Sequence, residues 1–350
     1  MSRQGVKVRM SSARDEAQSA ELRGKADGIR DDLQRMIHEL EKVIVGHREV
    51  IEGILISLLC SGHVLLEGVP GLGKTLLVKS LGRVLNLRFS RIQFTPDMMP
   101  ADIIGTNVVM EDESGRKHFE FQRGPVFAQI ILADGINRAT PKTQSALLEA
   151  MQERSVTVAG IAHRLETPFI VLATQNPIEM EGTYPLPEAQ LDRFFLKLNV
   201  TYPSIQQLED IVERTTQHEA PELQNVLGAE RVDEMKEFVR SIPVATHVKN
   251  YSARLVLATH PDSPYATDLA KRYVMYGSSP RGAQSLVLGG KMKALLEGRY
   301  NVSFEDIRAI AIPSLRHRVI LNFEGAAAGI EQANIVAEIL EKTPEVVRGS

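Results

Sequence analysis

Residues 68–75 read Gly-Val-Pro-Gly-Leu-Gly-Lys-Thr: a glycine, four residues, then Gly-Lys-Thr. Glycine lets the backbone curl until successive amide N–H groups point at one anion. A helix opening at Lys74 would aim the positive end of its dipole at the same place. Lys74 supplies a point charge for the β and γ phosphates of a nucleotide, and the Thr75 hydroxyl reaches Mg²⁺. Gly68, Pro70, Gly71, Leu72 and Gly73 would wall the cradle, with Leu76 just inside the helix. The metal needs a further carboxylate at the tip of a neighbouring strand. Ile130-Ile131-Leu132-Ala133-Asp134 offers one, four residues fit for burial and then an acid at the rim. The chemistry implied is binding of ATP with Mg²⁺, the metal lying between Thr75 and Asp134.

Such a cradle depends on the strand before it and the helix after it. Val64-Leu65-Leu66-Glu67 is a short apolar run of the kind that makes a buried parallel strand. Similar runs occur at Arg88–Gln93, Ile130–Asp134, Phe169–Ala173 and Phe194–Leu198, with helical stretches between several of them. Strands alternating with helices predict a parallel sheet covered on both faces. Upstream, Leu33, Met36, Ile37, Leu40, Val43 and Ile44 recur at helical spacing, and a second helix carries Val50, Ile51, Ile54, Leu55, Leu58 and Leu59. Beyond Tyr202-Pro203-Ser204 the strand signal ends. Helices are predicted over Ile205–His218, Ala229–Ser241, Tyr251–Thr259, Thr267–Tyr276, Arg281–Leu296, Phe304–His317 and Glu331–Glu341. The expected organisation is a flexible segment over residues 1–30, an α/β core over 31–202 and a smaller all-α lid over 203–350.

Bulk composition narrows the function classes. Hydrophobic residues make up 43% and charged residues 24% of the 350, as in ordinary globular proteins. The formal net charge of −3 lacks the basic surplus of a protein that coats nucleic acid, so nucleic acid is not the expected partner. The polar start of the chain has no signal-like apolar region, and no run approaches the roughly 20 apolar residues of a membrane span. A cytoplasmic protein is expected. The single cysteine, Cys60, lies in an apolar run and reads as a buried thiol. The nine histidines include no His-Glu-x-x-His, and no serine occupies a Gly-x-Ser-x-Gly elbow, so neither zinc nor serine-hydrolase chemistry is indicated.

Longer motifs then identify a relationship. The stretch Asp134-Gly135-Ile136-Asn137-Arg138-Ala139-Thr140-Pro141-Lys142-Thr143-Gln144, running into Leu147–Glu153, resembles the MoxR-type AAA+ ATPases. So do Phe94-Thr95-Pro96-Asp97, Gly124-Pro125-Val126-Phe127, Ala173-Thr174-Gln175-Asn176-Pro177, Leu186–Phe194 and Ser279-Pro280-Arg281-Gly282. The likeness runs from about Ile37 to Arg318. It implies a homo-oligomeric ring, expected to be a hexamer, with ATP between protomers. Asn176 would be the polar sensor that orients the attacking water. Arg193 resembles the arginine finger that reaches the γ-phosphate held by the adjacent protomer. Arg281 would be a second sensor, swinging with the lid onto that phosphate. Guanidinium suits this work because it pairs bidentately with phosphate oxygens and stays charged. The resemblance also implies that Val45 and Gly46 touch the adenine, with His47 beside them as a bystander. Asn107–Phe121 and Val156–Leu165 would be hairpins facing a central pore and touching the client. The implied activity is chaperone-like remodelling of partner proteins, often ones with von Willebrand factor A domains.

One position departs from the family pattern. The residue after the metal aspartate is normally a glutamate that polarises the lytic water, and here it is Gly135. Glycine can neither accept nor orient a proton, and loss of a general base typically lowers a rate by about 10²–10⁴. The chain is therefore expected to hold ATP·Mg²⁺ and turn it over slowly or not at all. Glu149 and Glu153 follow on the next helix without a spacing that brings either to the γ-phosphate. Gly135 also suits a non-catalytic nucleotide switch. A nucleic-acid motor is a further alternative, although the hairpin Val156–Leu165 carries only His163 and Arg164 as basic residues. Leu315-Arg316-His317-Arg318 ends a predicted helix, where cations complement the dipole.

Overall fold

The computed structural model describes residues 3–177, 182–216 and 221–346, with side chains from residue 20 onward. Helix α1 (Arg3–Glu41) is one continuous element. The segment 1–30, expected to be flexible, is thus helical as far as it is described; residues 1 and 2 lie outside the described residues. Ala26 and Ile29 are buried and extend the stripe of Leu33, Met36, Ile37 and Leu40 by about two turns. Ion pairs of Lys25 with Glu21 and of Arg30 with Asp27 add support at helical spacing. The apolar residues of this charged stretch, such as Val6, Val8, Met10 and Leu22, do not recur at a helical spacing that would reveal the helix.

The core follows in alternating elements. Helix α2 (Arg48–Leu59) leads to β1 (Val64–Glu67), α3 (Lys74–Val84) and β2 (Phe89–Gln93). Short α4 (Pro100–Ile104) runs directly into a hairpin, β3 (Gly105–Glu111) and β4 (Lys117–Arg123). Then come β5 (Ile130–Asp134), α5 (Pro141–Glu153), a second hairpin of β6 (Ser155–Val158) and β7 (Ile161–Arg164), β8 (Ile170–Gln175), α6 (Glu188–Leu191) and β9 (Leu196–Asn199). Five of the strands form one parallel sheet in the order β2-β5-β8-β1-β9. Its three central strands, β5, β8 and β1, are apolar on both faces because each face is covered. Val64, Leu66, Ile130, Leu132, Ile170 and Leu172 enter one core cluster, while the alternate residues Leu65, Ile131, Ala133, Val171 and Ala173 enter the other.

After β9 come α7 (Ile205–Thr216), α8 (Ala229–Ser241), α9 (Thr246–Ala258), α10 (Asp268–Tyr273), β10 (Val274–Tyr276), α11 (Pro280–Leu296), α12 (Phe304–Leu315), β11 (Ile320–Leu321), α13 (Phe323–Ala327) and α14 (Gln332–Lys342), the mostly helical part in which the lid lies. The predicted end of the first of these, at His218, lies outside the described residues. The helix predicted over Thr267–Tyr276 stops at Tyr273, because Val274–Tyr276 pairs antiparallel with Ile320–Leu321. That partner lies more than forty residues downstream, beyond the reach of a local pattern. A small strand pair therefore sits within the otherwise helical lid. Helix α9 begins five residues before the predicted Tyr251, and its first turns bury Val248. Among the described residues no helix is long and apolar enough to cross a membrane.

Candidate nucleotide-binding site

The loop after β1 turns back on itself with Gly71 at φ +88° and Gly73 at φ +76°, both in the left-handed region that favours glycine. Gly73 is also the N-cap of α3, and no side chain caps that helix. Its first-turn N–H groups therefore face the loop, as an anion would require. The Lys74 ammonium donates to the Gly68 and Val69 carbonyls, which holds it across the mouth of the cradle.

Parallel topology brings three strand tips to this loop. Lys74, Thr75, Asp134, Gly135, Thr174 and Asn176 line a cavity of about 500 Å³ over it. Asp134 ends β5 and is held from two sides. Thr174 Oγ1 donates to Oδ1 at 2.7 Å, and Arg91 Nη2 donates to Oδ2 at 2.6 Å. Burial opposes ionisation of Asp134, yet those hydrogen bonds and the charges of Arg91 and Lys74 hold its carboxyl below the ordinary aspartate value. An ionised carboxylate facing a threonine hydroxyl is a hard-oxygen donor set that suits Mg²⁺. Thr75 and Asp134 would hold that ion, and bound magnesium would neutralise phosphate charge.

A second cavity of about 330 Å³ shares Pro70, Gly71, Gly73, Lys74 and Leu76 with the first. Its far wall is apolar: Val43, Ile44, Val45 and Val50 on one side, Leu208 and Ile211 of α7 on the other. Arg214 closes it by donating to the Glu41 and Lys42 carbonyls at 2.8 and 2.9 Å. Gly46 forms the turn beside it at φ +71°. His47, expected to be a bystander, lines the cavity as well. Together the two spaces offer a polar pocket for phosphates joined to an apolar one for a flat base.

Gly135 lies at φ +71° and ψ +47°, left-handed again. Its N–H donates to Thr174 Oγ1 at 2.8 Å, so the threonine both receives from this backbone and donates to Asp134. Glu149 and Glu153 lie elsewhere, lining a small cavity next to Arg193.

The structure does not bring Arg193 and Arg281 to Lys74. With Arg154 and Arg318 they line a cavity of about 260 Å³ that also includes Gly62 and His63, the residues preceding β1. The cradle follows β1, so its four residues, roughly 13 Å at about 3.3 Å each, separate the two sites. Asp192 organises the arginine cavity, accepting from Ser279 Oγ at 2.8 Å, Arg281 Nη1 at 2.9 Å and Arg318 Nε at 3.1 Å. Arg318 is buried here; it donates to the Ser314 carbonyl in the last turn of α12, as a cation at a helix end would, and it also bonds Asp192. Sequence reasoning missed Arg91, Thr174, Asp192 and Arg318. Only Thr174 had a visible signal, a hydroxyl at a strand tip two residues before Asn176.

Comparison with known proteins agrees with this arrangement. Residues 63–196 match the ATPase family associated with various cellular activities (AAA), and residues 266–339 match the AAA lid domain. The chain is 41% identical to Chaperone MoxR1 of Mycobacterium tuberculosis, over 91% of this chain and 84% of that one. It is 40% identical to protein YeaC of Bacillus subtilis over 91% and 96% of the two chains, and 32% identical to protein MoxR of Methylorubrum extorquens over 91% and 95%. A crystal structure of a Cytophaga hutchinsonii protein assigned as an ATPase superposes with a TM-score of 0.86 at 40% identity, covering 94% of this chain and 98% of that one. With its glycine-turned phosphate cradle, its strand-tip aspartate and these relatives, the chain belongs to the MoxR family of AAA+ ATPases.

Proposed function

We propose that this chain forms a cytoplasmic homo-oligomeric ring, expected to be a hexamer, with ATP·Mg²⁺ at each interface. In this reading the ring remodels partner proteins as a chaperone, and clients with von Willebrand factor A domains fit the family. Lys74, Thr75 and Asp134 hold the nucleotide and metal from one protomer. Arg193 and Arg281 complete the same site from the next. The observation that carries the reading is the separation of cradle and arginines to opposite ends of strand β1, which leaves each protomer with half of two sites. A finger supplied in trans typically accelerates phosphoryl transfer by about 10³–10⁵. Asn176 lines the cradle cavity, where a polar side chain would orient water. The exposed cross-strand pair Val109 and Phe119 (57% and 76% exposed) gives the first hairpin an apolar patch along its length suited to a polypeptide client. At its base Phe121 stacks on His163 of the second hairpin at 4.0 Å, so the two hairpins would act together at the pore.

Gly135 adds that the ring dwells in its ATP state, since no glutamate follows the metal aspartate. The same observation favours a second reading, a switch in which ATP only stabilises the ring. The test of assembly is mass in solution with and without ATP·Mg²⁺, with bound nucleotide identified afterwards. Lys74→Ala is expected to weaken ATP binding by about a hundredfold, the loss of one or two charged hydrogen bonds, and to abolish ATP-dependent growth in mass. Equal mass with and without ATP in the unaltered chain would refute assembly at the nucleotide.

A further inference from the structure

The motif Leu315-Arg316-His317-Arg318 begins at the last residue of α12, and its last two residues turn inward. Arg318 is 5% exposed. Its guanidinium spreads over one short segment of the core, the residues that lead into β9. Nε donates to Asp192 Oδ1 at 3.1 Å, and Nη2 donates to the Phe194 carbonyl at 2.7 Å and the Asp192 carbonyl at 3.2 Å. Nη1 donates to the Phe195 carbonyl at 3.3 Å and to the Ser314 carbonyl. His317, also buried, places Nε2 2.9 Å from the Phe194 carbonyl. Arg193 lies in the middle of this segment, and the backbone on both sides of it is fastened to the lid. Arg193 itself reaches forward to the Leu148 carbonyl of α5 at 2.8 Å. Asp192 also receives Arg281 Nη1 and Ser279 Oγ from the start of α11. One carboxylate thus ties together the lid helix that carries Arg281, the end of the lid helix that carries Arg318 and the segment that carries Arg193.

A buried guanidinium with several acceptors around it is rigid, because its planar fork fixes distance and direction at once. Removing it leaves an aspartate and several carbonyls short of donors in a confined space. The segment would then be free to shift relative to the lid while the rest of the core keeps its packing.

We propose that Arg318 is a positioning residue: it fastens Asp192–Phe195 to the lid and, through Asp192, holds Arg193 and Arg281 at one spacing, so that both guanidiniums meet the neighbouring protomer's nucleotide as a single unit. This rests on the reading of Arg193 as a finger acting in trans. It also makes the lid of one protomer, and not its own nucleotide pocket, the element that sets the geometry of the next protomer's site.

The test is a double-variant cycle on the full chain, read as the protein concentration at which ATP·Mg²⁺ drives assembly. ATP affinity at concentrations below assembly and the thermal unfolding midpoint are measured alongside. Arg193→Ala is expected to raise the assembly concentration by at least about tenfold. Arg318→Met should do the same while the ATP affinity of the dissociated chain stays within about twofold. The double variant should be no worse than either single change, because both remove one function. Arg318→Lys keeps a charge for Asp192 and loses the fork, so it should behave like the methionine variant and serves if the latter does not fold. Wild-type assembly by either Arg318 variant, or shifts that add in the double variant, would overturn the proposal. Wild-type assembly by Arg193→Ala would instead refute the trans finger on which it rests.

Discussion

Gly135→Glu is expected to raise ATP turnover by about 10²–10⁴, the range a positioned general base contributes. The substitution places a carboxylate beside Asp134, on the rim of the cavity that holds Lys74, Thr75 and Asn176. It also meets resistance from the backbone. At φ +71° a side chain in the left-handed region costs about 1–2 kcal/mol, so the glutamate variant should melt somewhat lower. Its Cβ would come within 3.2 Å of Arg138 Cδ, part of a flexible side chain that can give way. Gly135→Ala separates the two effects, since it carries the backbone penalty without the carboxylate. Phosphate release measured on all three chains decides the matter. Turnover in the glutamate chain alone identifies a motor stalled for want of a base. Slow release from all three, with ATP still bound, would favour the switch.

Acid is expected to weaken this fold well above the usual carboxylate range, through two buried histidines. Burial pushes His63 down to about 4, a shift that its hydrogen bond to the Met151 carbonyl only partly offsets. Burial and the adjacent Arg318 charge push His317 well below its ordinary value. Each is neutral in the folded protein, whereas the unfolded chain takes up a proton near pH 6.5. The stability they contribute is therefore intact above that pH and drains away as pH falls toward 4. By pH 5 the loss amounts to about 2 kcal/mol for His63, and His317 adds to it in the same direction. Urea midpoints at pH 7.5 and pH 5 measure it. In His63→Gln, the amide can still donate to the Met151 carbonyl and accept from the Val171 N–H, the two bonds the ring makes. That variant should lose less stability on acidification than the unaltered chain, by about 2 kcal/mol at pH 5. An equal loss in both would show that His63 does not titrate as its burial requires.

Local rules made much of the fold readable before any coordinates. Alternate burial along Val64–Leu66 and Ile130–Ala133 follows from apolar residues at both strand faces, and the helix after Gly73 from the motif itself. The two hairpins lie over the stretches expected for them, Asn107–Phe121 and Val156–Leu165. Over the first thirty residues the helix was not legible, because its described support comes from charge pairs and the buried contacts of Ala26 and Ile29. Tyr276 misled for a different reason: its strand exists only because Ile320 pairs with it.

The candidate site divides along the same line. By itself the sequence determined the cradle, its metal carboxylate and the glycine that lacks an acid, because spacing along one chain sets backbone curvature and the order of strand and helix. Only the tertiary structure decided which side chains hold Asp134, and that Arg193, Arg281, Asp192 and Arg318 share a cavity a strand's length from the phosphate loop. Those residues are separated by up to 126 positions, and nothing in a local pattern can specify which guanidinium a buried carboxylate will meet.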